Sequence, residues 1–121
     1  MHELAVCQAL MDQVAGVAAR EAARRVTAVT LQIGDLSGVE PQLLQDAWPI
    51  ASAGSLAAGA RLHIETVPLR VRCLACGGET DALPNRLVCG ECGSFRTTLV
   101  SGEELLLKSV ELERADTGDA A

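Results

Sequence analysis

Two cysteine pairs constrain this chain more than any other feature. Cys73-Leu74-Ala75-Cys76-Gly77 is echoed by Cys89-Gly90-Glu91-Cys92-Gly93, a C-x2-C-x12-C-x2-C spacing. Two residues between cysteines let both thiolates of a pair point at one ion from a tight turn. The glycine after each pair frees the backbone to fold beneath the ion and aim amide N–H groups at the sulfurs. Two such turns together supply four soft ligands in a tetrahedron, the arrangement of a structural zinc site. The stretch between the pairs is short, polar and turn-rich. It is expected to depend on the metal for its folding energy. Two disulfides or a redox C-x-x-C are the competing readings. An intracellular chain disfavours the first, and a redox pair usually opens a helix and comes singly. Four thiolates leave no open coordination position, so the expected zinc at Cys73, Cys76, Cys89 and Cys92 is structural, not catalytic.

Composition narrows the rest. The chain is 49% hydrophobic, and Trp48 and Phe95 are its only Trp and Phe residues, with no Tyr. The core is therefore expected to be aliphatic. A net charge of −6 repels phosphate backbones and argues against a nucleic-acid partner. The start carries no basic region and no long apolar run, and no stretch approaches membrane-span length, so no membrane is expected and the chain reads as cytoplasmic.

Residues 4–24 read as an amphipathic helix with Leu4, Cys7, Met11, Val14 and Ala18 on one stripe, widened by Leu10 and Val17. Cys7, the fifth cysteine, reads as a buried free thiol. Residues 26–34 alternate as a half-buried strand. Ser37 and Glu40 have capping-box spacing ahead of Pro41, and a second helix is expected through Trp48, kinked or ended by Pro49. Arg61–Arg72 reads as a second strand with an exit at Pro68, and Leu105–Leu112 as a third. The expected fold class is α+β: a small three-stranded sheet with two helices on one face, plus an inserted four-cysteine zinc-ribbon module. The expected division is an α+β domain of residues 1–68 and 102–114, a zinc-ribbon domain of residues 69–101, and a disordered tail, 115–121.

Met1-His2-Glu3 is a second constellation. Because His2 is not small, Met1 is expected to stay in place. The Met1 α-amine, the His2 amide nitrogen and the His2 imidazole then close a five- and a six-membered chelate ring on one ion. Such nitrogen donors favour square-planar Ni(II) or Cu(II). The amine titrates near pH 8, so loading is expected to weaken as pH falls. His63 beside Glu65 reads as a surface histidine, and Asp12, Glu21 and Glu103-Glu104 as solvated faces. Glu111 and Glu113 are candidates for an acidic partner surface.

Met1-His2-Glu3, Gly34-Asp35-Leu36-Ser37-Gly38-Val39-Glu40-Pro41 and the paired knuckles, in that order and spacing over residues 1–113, resemble the HypA/HybF family of nickel metallochaperones. The resemblance implies nickel at Met1, His2 and Glu3, with His2 the main ligand, and zinc at the four cysteines. It links an acidic residue at Glu40 to the nickel site, beside that residue's reading as a helix cap. Pro49 is not part of the family pattern. A non-enzymatic role follows: binding Ni(II) and delivering it during maturation of a [NiFe]-hydrogenase, with urease as a second destination in some organisms. A maturation GTPase and the hydrogenase large subunit are the implied partners, and the chain is expected to be a monomer or weak dimer. A zinc-ribbon binding module of a transcription or ribosome-associated type is the alternative. It fits the knuckles but not the charge or the lack of stacking aromatics. A thiol oxidoreductase is the third reading; it requires a reactive cysteine that zinc would protect.

Overall fold

The computed structural model describes residues 3–114 of the chain, so the expected tail at 115–121 lies outside the described residues. The fold is α+β, with two helices and two three-stranded sheets. The chain divides into two compact units: residues 1–31, 39–64 and 107–121 form the first, and 32–38 with 65–106 the second.

Helix α1 (Glu3–Arg20) buries Cys7, Leu10, Val14 and Ala18, a three- and four-residue spacing that keeps one face against the core. Leu10 is buried as expected, but Leu4, expected on the same stripe, is 41% exposed and Met11 only half-buried. Strand β1 (Ala23–Gly34) begins earlier than expected. Its buried positions run Val26, Ala28, Val29, Leu31 and Ile33, so the core-facing set shifts by one residue between Ala28 and Val29. Helix α2 (Pro41–Ser52) buries Leu44, Trp48 and Ser52 and packs on α1.

Two expectations about α2 need correction. Glu40, not Ser37, is the N-cap residue, and it makes no side-chain cap hydrogen bond. The Ser37–Glu40 capping box is therefore not formed; Pro41 does occupy the first turn. Pro49 lies inside the helix and does not end it there. Anchors on both sides hold the turn. The Trp48 indole donates to Ala60 O at 2.9 Å, and Gln45 Nε2 donates to Leu62 O at 2.7 Å. Beyond the proline, buried Ser52 accepts from Ser55 Oγ at 2.6 Å. Tertiary contacts here outweigh the ~3 kcal/mol that an interior proline costs a helix.

Strands β2 (Arg61–Val67) and β6 (Leu105–Arg114) flank β1 in the order β2-β1-β6, and the helices cover one face of this sheet. Gly34 N donates to Glu104 O and Thr27 Oγ1 to Glu111 O, so β1 and β6 run antiparallel. The expected strand Arg61–Arg72 is two strands. The chain breaks at Pro68, which has no N–H to give a ladder, and Arg70–Cys73 becomes β3 of the other sheet. There β3 sits between β4 (Glu79–Asp81) and β5 (Thr97–Ser101), antiparallel to both. Arg70 opposes Asp81 and Arg72 opposes Glu79, and each pair is joined by an ion pair. Among the described residues, no helix is long and apolar enough to cross a membrane.

In the second unit the backbone passes closest at two glycines. A Cβ on Gly34 would lie 2.2 Å from the carbonyl carbon and oxygen of Gly102, and Gly102 itself has φ +123°. Gly34→Ala should therefore lower stability by at least about 2 kcal/mol, since backbone must shift. Gly16→Ala is the control: its Cβ meets only an Arg20 guanidinium nitrogen at 3.5 Å. It should be neutral or stabilising by up to about 1 kcal/mol. Urea unfolding of the metal-loaded protein measures both; equal midpoints would show that the crossing tolerates a side chain.

Candidate metal centre

The two C-x2-C turns are built alike. In the first, Gly77 N donates to Cys73 O at 3.0 Å and Cys73 N to Gly78 O at 2.8 Å. In the second, Gly93 N donates to Cys89 O at 2.9 Å and Cys89 N to Ser94 O at 3.0 Å. Gly77 and Gly93 have φ near +79° and +77°, and nothing lies within 4 Å of a Cβ at either. Their requirement is conformational, not steric: the left-handed backbone closes the turn.

Each turn aims amides at sulfur, although not from those glycines. Cys73 Sγ accepts from the N–H of Ala75 and of Cys76, both at 3.3 Å. Cys89 Sγ accepts from Glu91 at 3.3 Å and Cys92 at 3.4 Å. Gly78 and Ser94 serve the second sulfur of each pair. The first cysteine of each pair is buried and the second exposed.

All four sulfurs lie within 4.8 Å of one another; Cys73 and Cys92 are 3.5 Å apart, and Cys76 and Cys89 3.6 Å. Four sulfurs bonded to zinc at about 2.3 Å would stand about 3.8 Å apart in a tetrahedron. Donor type, count and spacing therefore fit one such ion. The amides belong to the same design, because they partly neutralise the charge that four thiolates place on a single cation.

Without a cation the sulfurs share protons unequally. The Cys76 N–H, helped by that of Ala75, holds the Cys73 thiol down to about 6. The N–H groups of Cys92 and Glu91 hold Cys89 down in the same way. Gly78 N–H pulls on Cys76, but the sulfurs of Cys89 and Cys73 outweigh it and push that thiol up to about 12. At Cys92 the Ser94 amide is likewise outweighed, chiefly by the Cys73 sulfur, and the thiol is raised. The buried sulfurs are thus the more readily ionised and the exposed ones hold their protons more tightly.

The fifth cysteine stays apart. Cys7 is fully buried, its Sγ donates to Leu44 O at 3.6 Å, and burial, then the Glu3 charge, push its thiol up. His63 is exposed on β2, and no metal-binding group among the described residues includes it. Met1 and His2 lie outside the described residues. Glu3 opens α1 and Glu40 caps α2, and the two meet: Glu40 N donates to Glu3 Oε2 at 3.4 Å. That contact was not evident from residues 37 apart in sequence.

Fold and site together define a small α+β protein with a four-cysteine metal centre on a zinc-ribbon-like module. Residues 1–112 match the family model described as hydrogenase/urease nickel incorporation, metallochaperone, hypA. Hydrogenase maturation factor HypA of Nitrosospira multiformis is 53% identical over 112 residues, which cover 93% of this chain and 97% of that one. HypA of Aquifex aeolicus is 39% identical over 113 residues, covering 93% and 98%. The solution structure of the Ni metallochaperone HypA from Helicobacter pylori shares the fold, with a TM-score of 0.65 at 24% identity over 94% of this chain and 99% of that one. The chain belongs to the HypA family of nickel metallochaperones, which act in hydrogenase maturation.

Loading the four cysteines with a divalent cation must displace the proton that Cys76 holds and any on the other sulfurs. Calorimetry of Zn(II) binding in buffers of different ionisation heat should report net proton release on loading at pH 7.5. Apparent affinity should fall as pH drops through about 6, where Cys73 takes up a proton as well. Loading without proton release would contradict the unequal sharing.

Proposed function

We propose that this protein carries Ni(II) at its N-terminus and delivers it during [NiFe]-hydrogenase maturation. Nickel is the cargo. Its donors are the Met1 amine, the backbone and imidazole of His2, and Glu3, with Glu40 close by. The observation that carries this reading is the contact between Glu40 N and Glu3 Oε2, which brings the start of α1 to the start of α2. The Glu40 carboxylate makes no cap bond to α2, so its helix-cap role loses support. Donors at a chain end suit a carrier that must let its ion go. Neutral nitrogen donors also make loading sensitive to acid, because the amine and imidazole take up protons as pH falls.

Zinc is the resident ion at Cys73, Cys76, Cys89 and Cys92. When bound it supplies a rigid, closed, redox-inert cross-link between the two turns. In the same reading the protein works in the cytoplasm as a monomer or weak dimer. It meets a maturation GTPase that drives transfer and the hydrogenase large subunit that receives the ion. Urease is a second destination supported by the family description.

The test is nickel titration into zinc-loaded wild type, His2→Ala and Glu40→Gln, read by calorimetry and d–d absorption. Wild type should take up about one equivalent, and His2→Ala should bind at least about 100-fold more weakly. Glu40→Gln should weaken binding by about three- to tenfold, with zinc content unchanged in all three. If wild type and His2→Ala bind alike, the N-terminal site is wrong.

A further inference from the structure

The zinc-ribbon-like module displays the chain's single phenylalanine to solvent. Phe95 is 84% exposed, an unusual position for a residue that folding normally withdraws from water. Its mount is not a loose loop. Ser94 O accepts from Cys89 N at 3.0 Å, Ser94 Oγ from Arg96 N at 3.1 Å, and Phe95 O from Thr97 N at 2.9 Å. On the other side Leu74 N donates to Arg96 O at 2.7 Å. The turn that holds Phe95 is therefore tied to both cysteine knuckles. A ring displayed on a pre-ordered backbone loses little freedom when a partner covers it.

Its neighbours complete a surface. Leu74 is 58% exposed, within the first knuckle. Leu87 is exposed and its carbonyl accepts from Thr97 Oγ1 at 2.8 Å, which places Arg86-Leu87 beside Phe95–Thr97. Arg86 and Arg96 are exposed, and among the described residues neither forms an ion pair. Arg70 and Arg72 of the same module are engaged by Asp81 and Glu79. An aromatic ring, aliphatic side chains and arginine are the composition of an interface centre.

Charge then selects the occupant. Two uncompensated cations around an apolar centre complement a segment that is acidic and apolar together. We propose that Phe95, Leu74 and Leu87, with Arg86 and Arg96, form a docking surface for an acidic segment of a partner protein that carries an aliphatic anchor. Nucleic acid fits less well. A chain of net charge −6 with two free arginines at the site offers little to a phosphate backbone, and one aromatic stacks one base. The surface uses no residue of the N-terminal nickel site and stands independently of it.

The probe is a random peptide library displayed on phage, selected on the metal-loaded full-length protein and counter-selected with Phe95→Ala. Selected peptides should carry Asp or Glu beside Leu, Ile or Val. Fluorescence anisotropy of a synthesised peptide should show at least about tenfold weaker binding to Phe95→Ala. Arg86→Glu and Arg96→Glu should each weaken it about threefold or more, and added salt should weaken wild-type binding. Zinc content and melting temperature should stay constant, since all three side chains are exposed. His2→Ala should bind the peptide like wild type, so failure here and failure of the nickel reading are separate results. The proposal is overturned if no sequence survives counter-selection or if the survivors lack acidic residues. It is also overturned, in favour of single-stranded nucleic acid, if oligothymidine displaces the peptide and loses binding equally in Phe95→Ala.

Discussion

Four sulfurs held within 4.8 Å of each other are an unstable arrangement until a cation joins them. Once ionised they repel, and while protonated they waste the amides that point at them. That tension organises the second unit. The buried side chains of that unit are Ile33, Leu69, Val71, Cys73 and Cys89, so two of the five are the ligands themselves. Three short strands with one buried aliphatic residue among them, Val71, and Leu69 just before β3 lack the apolar area for independent stability. An ion held by the four sulfurs would do there what a hydrophobic core does in the first unit, joining the hydrogen-bonded knuckles to which the Phe95 turn is tied.

The first unit is held together by ordinary means. Cys7, Leu44, Trp48 and Val14 are sealed from water, and the polar atoms that must enter with them have partners: the Trp48 indole finds Ala60 O and the Cys7 thiol finds Leu44 O. Helix α1 opens at Glu3 with its buried face fixed in this interior.

What the sequence disclosed follows the range of its interactions. The metal centre was legible because its geometry is local: two residues between cysteines and a glycine after them decide the turn. The same holds for the alternation of Val29, Leu31 and Ile33. Strand β4 was not legible, because Glu79-Thr80-Asp81 has no apolar period, and what makes it a strand is β3 beside it, with arginines opposite its carboxylates. Pro68 was read as an exit but not as the point where one sheet gives way to another. Pro49 was read as a helix breaker, and the buried Trp48 and Ser52 on either side kept the helix intact. The pairing of Glu3 with Glu40 depends on two helices meeting, and no pattern along either segment encodes that.

The contact of Gly34 with Gly102 also fixes a length. Gly34 N reaches Glu104 O, Leu36 N reaches Gly102 O, and neither glycine has space for a substituent. With both bonds made, the run from Gly102 to Leu105 has no slack, and β6 starts in one phase only. A chain carrying one extra residue there would enter β6 with its alternation inverted. Positions such as Leu107, Val110 and Leu112 would exchange sides with their neighbours along all ten residues of the strand. The cysteine spacing would be untouched by that insertion, so such a chain would keep its metal-binding pattern while losing its sheet. Loop length between Gly102 and Leu105 is therefore as informative about this fold as the cysteine spacing.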